Sequence, residues 1–468
     1  MKQIVVIGAG MGGLTAALRL VRQNFEVSVI EARPDAGGLA SAFEIDGLRF
    51  DYGPYILLDR PGLEWAFREA GLDLAQSIQL RRIEDIYQVT RGDVTIRFHA
   101  SLEQTADGLD RTWPGSGASY IQYVASMSSI YRRLQPMLQR SHPRVRDLIR
   151  GGSWRHGAFL LQSLGAILSG VPLPQPVKEA IAIWTHVAGQ PVGDAPSPMA
   201  FVSSLMHYEG CFYPVDGIGA IPQVLSRAAN SAGVKFRFAT KVRKIRSKDG
   251  CVTGVETDTG EFIAADSIVS NHSGLGTYLD LADATPPTVR RRLSQLPFQS
   301  PGVCAYLALK GKPRPPYLRF LLAAGSPCRL LIVPAVLDST LSRNGWHSAR
   351  LLGPLEYSEA ERMGDAGQRK YLDQMLQEAC WREDVDDFRV LATRVPAQWG
   401  SDFHLYRNSM NPVMTARLMR TGRLPHRCPF LRGLYLAGAS THPGQWVSFC
   451  AMSGIHAANC LIEDLAKC

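Results

Sequence analysis

Near the amino terminus the apolar positions change period twice. Lys2 to Ile7 is a β-branched run, Met11 to Arg22 alternates apolar and polar residues at helical spacing, and Glu26 to Ile30 is β-branched again. The pattern predicts a strand, a helix and a second strand, a βαβ unit that opens at the second residue. Pro34 to Pro61 keeps neither period, is rich in glycine and contains Phe50-Asp51-Tyr52-Gly53-Pro54, which predicts irregular structure leading to a turn beside a ligand. From about Ser101 to Pro196, long apolar stretches with few strand signals predict helices. Phe212 to Ser270 reads as a helix followed by strands at Lys235 to Phe238, Lys241 to Ile245, Val252 to Thr257 and Ser267 to Val269, with hairpin turns at Asp249-Gly250 and Thr259-Gly260. Further strands are expected within Tyr306 to Pro334 and Phe388 to Pro396, and a helix at Gly367 to Ala379.

The turn between the first strand and its helix carries chemistry. Gly8-Ala9-Gly10-Met11-Gly12-Gly13 satisfies G-x-G-x-x-G, and Glu31 stands eighteen residues beyond Gly13, at the end of the second strand. In such a unit Gly8 permits the tight turn, Gly10 lets backbone approach a pyrophosphate, and Gly13 lets helix and strand pack closely. The helix amino terminus stabilises the negative charge. Glu31 would accept hydrogen bonds from the hydroxyls of an adenosine ribose. That favours an unphosphorylated ribose and leaves FAD and NAD open.

Length and composition set the frame around this unit. At 468 residues the chain exceeds one ordinary compact core, so two interleaved domains around a shared cleft are expected. With 46% hydrophobic and 20% charged residues it should be ordered throughout. The nine cysteines all lie from Cys211 onward, are odd in number and have no metal-ligand spacing. Neither a disulfide framework nor a metal is expected, and a reducing cytoplasm fits. The formal charge of +9 admits nucleic acid, an anionic membrane surface or no charged partner. Zinc-finger spacings, basic heptads and an RNA-binding aromatic signature are absent, which argues against nucleic acid. The run Ile4 to Ile7 is too short for a signal peptide.

Directly after Glu31 the chain reads Ala32-Arg33-Pro34-Asp35-Ala36-Gly37-Gly38-Leu39. This resembles the extended motif of flavin amine oxidases and carotenoid desaturases, and implies FAD rather than NAD. Gly47-Leu48-Arg49-Phe50-Asp51-Tyr52-Gly53-Pro54 resembles the "GYxFDxGP" element of phytoene desaturases and carotenoid isomerases, with Tyr55 in place of the usual threonine or serine. Tyr213 to Ala220, and Leu434 to Ala439 through His442-Pro443-Gly444, extend the resemblance over most of the chain. It implies an α/β fold in which a Rossmann-type FAD-binding domain of residues 1–75, 206–285 and 421–468 is interleaved with a substrate domain. That second domain, of mixed sheet plus helices, would comprise residues 76–205 and 286–420. The resemblance also implies FAD contacts from Gly8, Ala9, Gly10, Gly12, Gly13, Glu31, Ala32, Arg33, Gly38, Leu39, Gly53 and Pro54. An adenine contact through the backbone of Val242 is implied, with Gly438, Ala439, Gln445, Trp446 and Val447 around the ring system.

Desaturases of this type follow the His-Pro pair with small residues near "GAGIPGV", whereas this chain has Gln445-Trp446-Val447-Ser448-Phe449-Cys450, whose bulk would narrow the space over the flavin. Its beginning resembles plant-type carotene isomerases. The implied reaction is an FAD-dependent desaturation, dehydrogenation or isomerisation of a lipophilic, carotenoid-like polyene, with hydride passing from a saturated carbon to flavin N5. Such chemistry needs orientation and dryness more than a charged triad, which suits a sequence without a nucleophile elbow or paired carboxylates. His442 is the candidate base or donor, with a structural use as the alternative. Tyr55, Trp446 and Phe449 are candidates to line the substrate space, with core packing as the alternative. Asp51 is expected as a backbone acceptor. A flavin amine oxidase and a non-catalytic lipid escort share parts of these motifs and stay open.

Between Arg132 and Arg155, seven arginines accompany one acid, Asp147, and the apolar stretches Ala158 to Leu161 and Leu164 to Leu168 follow. The apolar part ends at Pro172 and is too short to cross a bilayer. One reading is a cytoplasmic protein in peripheral contact with the inner face of the membrane, from which a water-insoluble substrate is drawn. The other is a buried helix with a solvated basic face.

Overall fold

The computed structural model describes residues 1–143, 156–187, 190–323, 327–383, 385–421 and 423–467. The opening unit forms as β1 (Gln3–Ile7), α1 (Met11–Val21) and β2 (Glu26–Ile30). Distant segments extend it: β3 (Lys235–Arg237), β4 (Ser267–Ser270), β5 (Leu434–Leu436) and the closing helix α2 (Val447–Leu465). The five strands are all parallel, in the order β5-β4-β1-β2-β3.

A parallel sheet is covered on both faces, so its strands read as continuous apolar runs rather than alternating ones. Here Ile4 and Val6 of β1 join the core shared with α1 and α2, while Val5 and Ile7 join the core beneath a small antiparallel sheet. That sheet is formed by Val242–Lys248, Cys251–Thr257 and Phe262–Ala264. Its first hairpin turns on Asp249 and Gly250, both at positive φ (51° and 73°), the conformation that an Asp-Gly pair tolerates. The helices α1 and α2 meet closely. The Thr15 hydroxyl donates to the carbonyl of Ala451 (2.8 Å), and a Cβ on Gly454 would stand 2.0 Å from the Gly12 carbonyl oxygen.

The second half of the molecule is built on an eight-stranded sheet, in the order Phe388–Arg394, Val303–Lys310, Trp346–Gly353, Arg329–Ile332, Leu318–Leu321, Asp85–Arg91 and Val94–His99, with Ser342–Arg343 beside Trp346–Gly353. Its neighbours are antiparallel except Leu318–Leu321, which runs parallel to Asp85–Arg91. The hairpin at Asp85–His99 was not among the expected strands, although Ile96 and Phe98 are buried and Thr95 and Arg97 exposed in the alternation of a half-buried strand. The helix expected from Gly367 is the second part of Tyr357–Gln377, kinked at Gly364 (φ 60°). Helices dominate Ser101 to Pro196 as expected, the longest being Ser116–Leu138, whose end reaches the cavity described next. No described helix is long and apolar enough to cross a membrane.

Candidate cofactor and substrate site

A cavity of about 2190 Å³ runs from the glycine turn, past the end of β5, into the helices of the second half. A pocket for a single drug-sized ligand is roughly 300–1,000 Å³, so this space has room for a dinucleotide and a second molecule together. Gly8, Gly10, Gly12, Glu31, Ala32, Arg33, Gly38, Leu39, Gly53, Pro54 and Val242 line it, as do Gly438, Ala439, Gln445, Trp446 and Val447. Tyr55, His442 and Phe449 are on its wall as well. Ala9 and Gly13, expected as contacts, stand behind it. The Ala9 N–H donates to Glu31 Oε2 (2.6 Å), and a Cβ on Gly13 would lie 2.0 Å from the Gly8 carbonyl oxygen. Their work is to shape the turn.

The glycines form a cradle around Asn271, the residue after β4. A Cβ on Gly10 would come 2.6 Å from Asn271 Nδ2, one on Gly12 2.6 Å from its Oδ1, and one on Gly438 (φ 92°) 2.8 Å from the same oxygen. Side chains at these positions would collide with Asn271, so the turn presents bare backbone to the cavity, and the residues present fit the close approach of a pyrophosphate. Glu31 closes the cradle on the β2 side, its carboxylate also accepting from the Arg33 N–H (2.8 Å). Burial pushes its pKa up, against the pull of these two N–H donors.

The glycine-rich loop is zipped and braced. The Gly53 N–H donates to Leu39 O (3.0 Å) and the Tyr52 N–H to Ser41 O (3.0 Å). Asp51 takes the Tyr213 hydroxyl (2.7 Å) and the Gly219 N–H (3.0 Å), a pure acceptor whose burial raises its pKa. Arg350, on the strand Trp346–Gly353 and only 3% exposed, donates Nη1 to the carbonyls of Asp51 (2.8 Å), Tyr52 (2.6 Å) and Gly53 (3.1 Å), and Nη2 to Gly53 again (3.1 Å). Arg350 and Asn271 were both missed in the sequence. The only available signal was a charged or polar residue at a strand position.

Beneath the far end of the cavity, the Gly438 N–H donates to Ser453 Oγ (2.8 Å) and the Thr441 hydroxyl returns to Gly438 O (2.9 Å), tying β5 to α2. His442 Nε2 lies 3.1 Å from Met137 O and His456 Nε2 2.8 Å from Leu138 O, so both rings donate to the last carbonyls of the helix Ser116–Leu138 and cap it. Burial pulls His442 down to about 3 and His456 to about 4. A neutral ring with its N–H committed to a carbonyl holds structure. This geometry supports the structural use of His442, the alternative to its role as base or donor.

The remaining wall is apolar and aromatic, with Tyr55, Leu160, Trp184, Phe201, Phe320 and Trp446 prominent. Leu161 lines the cavity and is yet 61% exposed, which places it at the mouth.

A parallel sheet, a glycine turn closed by an acid at the second strand, and a last strand and helix returning beneath the cavity define a Rossmann-type flavin-binding oxidoreductase. Residues 11–462 match the family of flavin containing amine oxidoreductases, and the chain belongs to it. It is an FAD-dependent enzyme. It is 27% identical over 477 aligned positions to a zeta-carotene-forming phytoene desaturase of Myxococcus xanthus, covering 95% of this chain and 90% of that one. It is 24% identical over 500 positions to a carotenoid 3,4-desaturase of Haloarcula japonica, covering 99% of both. Among solved structures, an oxidoreductase from Methanosarcina mazei shares the fold with a TM-score of 0.69 at 18% identity, covering 98% of this chain and 100% of that one.

Proposed function

We propose that this protein is an FAD-dependent desaturase that withdraws hydride from a lipophilic, carotenoid-like polyene. The observation that carries this reading is the apolar arm of the cavity. Among the described residues its wall holds only two carboxylates, Glu31 and Asp280. Glu31 belongs to the dinucleotide turn, and Asp280 lies within the field of Lys241, beside Val242. An amine substrate would enter as a cation and find no anion to replace its water, whereas a polyene needs only apolar wall. The names of the two relatives support the same substrate class.

In this reading Gly8 to Gly12 and the amino terminus of α1 would hold the pyrophosphate, Glu31 the ribose and the backbone of Val242 the adenine. Gly53, Pro54 and the segment Gly438 to Val447 would flank the flavin ring. Bound FAD supplies the hydride acceptor. Tyr55, Trp446 and Phe449 orient the polyene, the apolar wall excludes water, and Arg350 holds the loop that covers the ring. The test is anaerobic incubation of the holoprotein with polyene precursors and with amines. Bleaching of the long-wavelength flavin band by a precursor carrying a saturated bond next to its conjugated segment is expected. Bleaching by an amine alone would move the protein to amine oxidation.

We also infer that the mouth docks on an anionic bilayer. Leu161 is exposed at that mouth, and the arginine-rich stretch precedes it in the chain. Of that stretch, Arg132, Arg133 and Arg140 are described, and the Arg132 guanidinium sits 5.7 Å from the centre of the Tyr208 ring, which is itself 46% exposed. Arg144, Arg146, Arg150 and Arg155 lie outside the described residues. Flotation with anionic liposomes at low salt is expected to carry the protein upward, and Leu161→Glu to abolish it. Protein that stays at the bottom in both forms sinks the idea.

A further inference from the structure

Arg423 lies on the wall, part-buried, between the end of β5 and the start of α2. Its Nη1 donates to the Ala439 carbonyl (3.2 Å). Its Nη2 occupies the space that Gly444 leaves open, 2.9 Å from where a Cβ on that residue would stand. No carboxylate among the described residues forms an ion pair with it, although arginines elsewhere in the fold, such as Arg329 with Glu378 and Arg427 with Asp464, are paired. Its ionisable neighbours are neutral: burial drives His442 down to about 3 and the Cys450 thiol up to about 12. Arg423 itself is pulled to about 10 by burial and remains a cation at neutral pH. An unpaired cation in an apolar cavity is costly unless an anion arrives there.

We propose that Arg423 is the cation that meets the negative charge taken up by the flavin ring on reduction, and that it thereby sets the reduction potential of the bound FAD. The residues it spans, Ala439 and Gly444, belong to the segment assigned to the ring. Hydride transfer breaks a substrate C–H bond and places that hydrogen and both electrons on N5. The neighbouring carbon gives its proton to water at the mouth of the cavity, and the reduced ring would carry a negative charge spread over N1 and the C2 carbonyl. A guanidinium fixed in a dry site stabilises that charge without giving up a proton and without reorganising. The inference rests on FAD as the resident cofactor and is independent of which substrate delivers the hydride.

The test uses purified holoprotein of the wild type, Arg423→Met and Arg423→Lys. Sulfite adds to flavin N5 and creates the same ring charge, so its affinity reports the local cation with no substrate present. Sulfite affinity is expected to fall at least about tenfold in Arg423→Met. The two-electron potential, measured against a reference dye, should become more negative by about 30 mV, the equivalent of tenfold. Arg423→Lys should keep most of both. Equal sulfite affinity and equal potential in wild type and Arg423→Met overturn the proposal. If the methionine variant does not fold, Arg423→Gln replaces it in the same sulfite and potential measurements, and the wild type supplies a second check that can overturn the proposal. A reduced ring held as an anion takes up one proton per two electrons, so its potential shifts by about 30 mV for each tenfold change in proton concentration around neutrality. Twice that slope overturns the proposal. A wild type that binds no flavin even after reconstitution is a different failure, that of the cofactor assignment.

Discussion

Replacing Gly13 by alanine is expected to yield a protein that emerges from gel filtration without its yellow colour and unfolds at a lower denaturant concentration. The added methyl would stand 2.0 Å from the Gly8 carbonyl oxygen and 3.2 Å from Asn271 Cβ. Neither is the far end of a flexible side chain, so α1 must move away from β1. Overpacking of a rigid contact costs about 1–3 kcal/mol. Here it also displaces the amino terminus of α1 from the pyrophosphate position, so flavin retention falls more than stability does. Gly108→Ala is the control: it lies in the helix Leu102–Thr112, where the nearest atom to a new Cβ is Arg111 Nη2 at 3.6 Å. That change should be neutral or stabilise by up to about 1 kcal/mol. Full flavin retention in Gly13→Ala would mean that the tight turn is not what positions the cofactor.

Arg350→Met should be the most damaging single change outside the glycine turn. It removes every donor that Arg350 gives to the carbonyls of Asp51, Tyr52 and Gly53. The Tyr52 carbonyl keeps the Tyr306 hydroxyl (3.2 Å), but loss of the guanidinium's bonds to the loop, together with removal of a buried charge from its network, costs about 3–5 kcal/mol. The Arg350 charge also lowers the pKa of Asp51 against the raising effect of burial, so Asp51 should titrate higher still in the variant. Urea unfolding should show an earlier midpoint with an unchanged slope, and FAD should exchange freely because the loop over the ring is no longer tied to the sheet. Arg350→Lys should recover only part of this, since one ammonium cannot reproduce the fork. Wild-type stability in Arg350→Met would show that the loop is held by its own zipper through Leu39 and Ser41.

What was legible in the sequence was local. The strand, turn, helix and second strand, with Glu31 at its end, lie within the first 31 residues, and their periods and glycine spacing report the backbone directly. The segments around Val242 and Gly438 to Val447 became readable through resemblance, because each is short and meets the first unit only in space. Arg350 was hidden for a physical reason. Its strand runs Trp346-His347-Ser348-Ala349-Arg350-Leu351-Leu352-Gly353 and is buried on both faces with polar residues inside, so it shows neither an alternating nor a continuous apolar pattern. Its carbonyl partner Asp51 is 299 positions away. Arg423 was hidden in the same way, by a partner sixteen positions on whose only mark is a backbone carbonyl.

The contact between Thr15 and Ala451 joins residues 436 positions apart, and it is one of those by which α1 packs on α2. In order of synthesis, the βαβ unit of residues 3–30 emerges long before the strand and helix that complete it. The apolar face of α1 stays uncovered until residues 447–465 have been made, and the strand that carries Gly438 arrives only just before them. During that interval the nascent chain exposes a sticky helix and unpaired strand edges, the condition in which large proteins lean on holdases. A bound FAD would therefore act as a clasp between segments that lie more than 400 positions apart in the sequence.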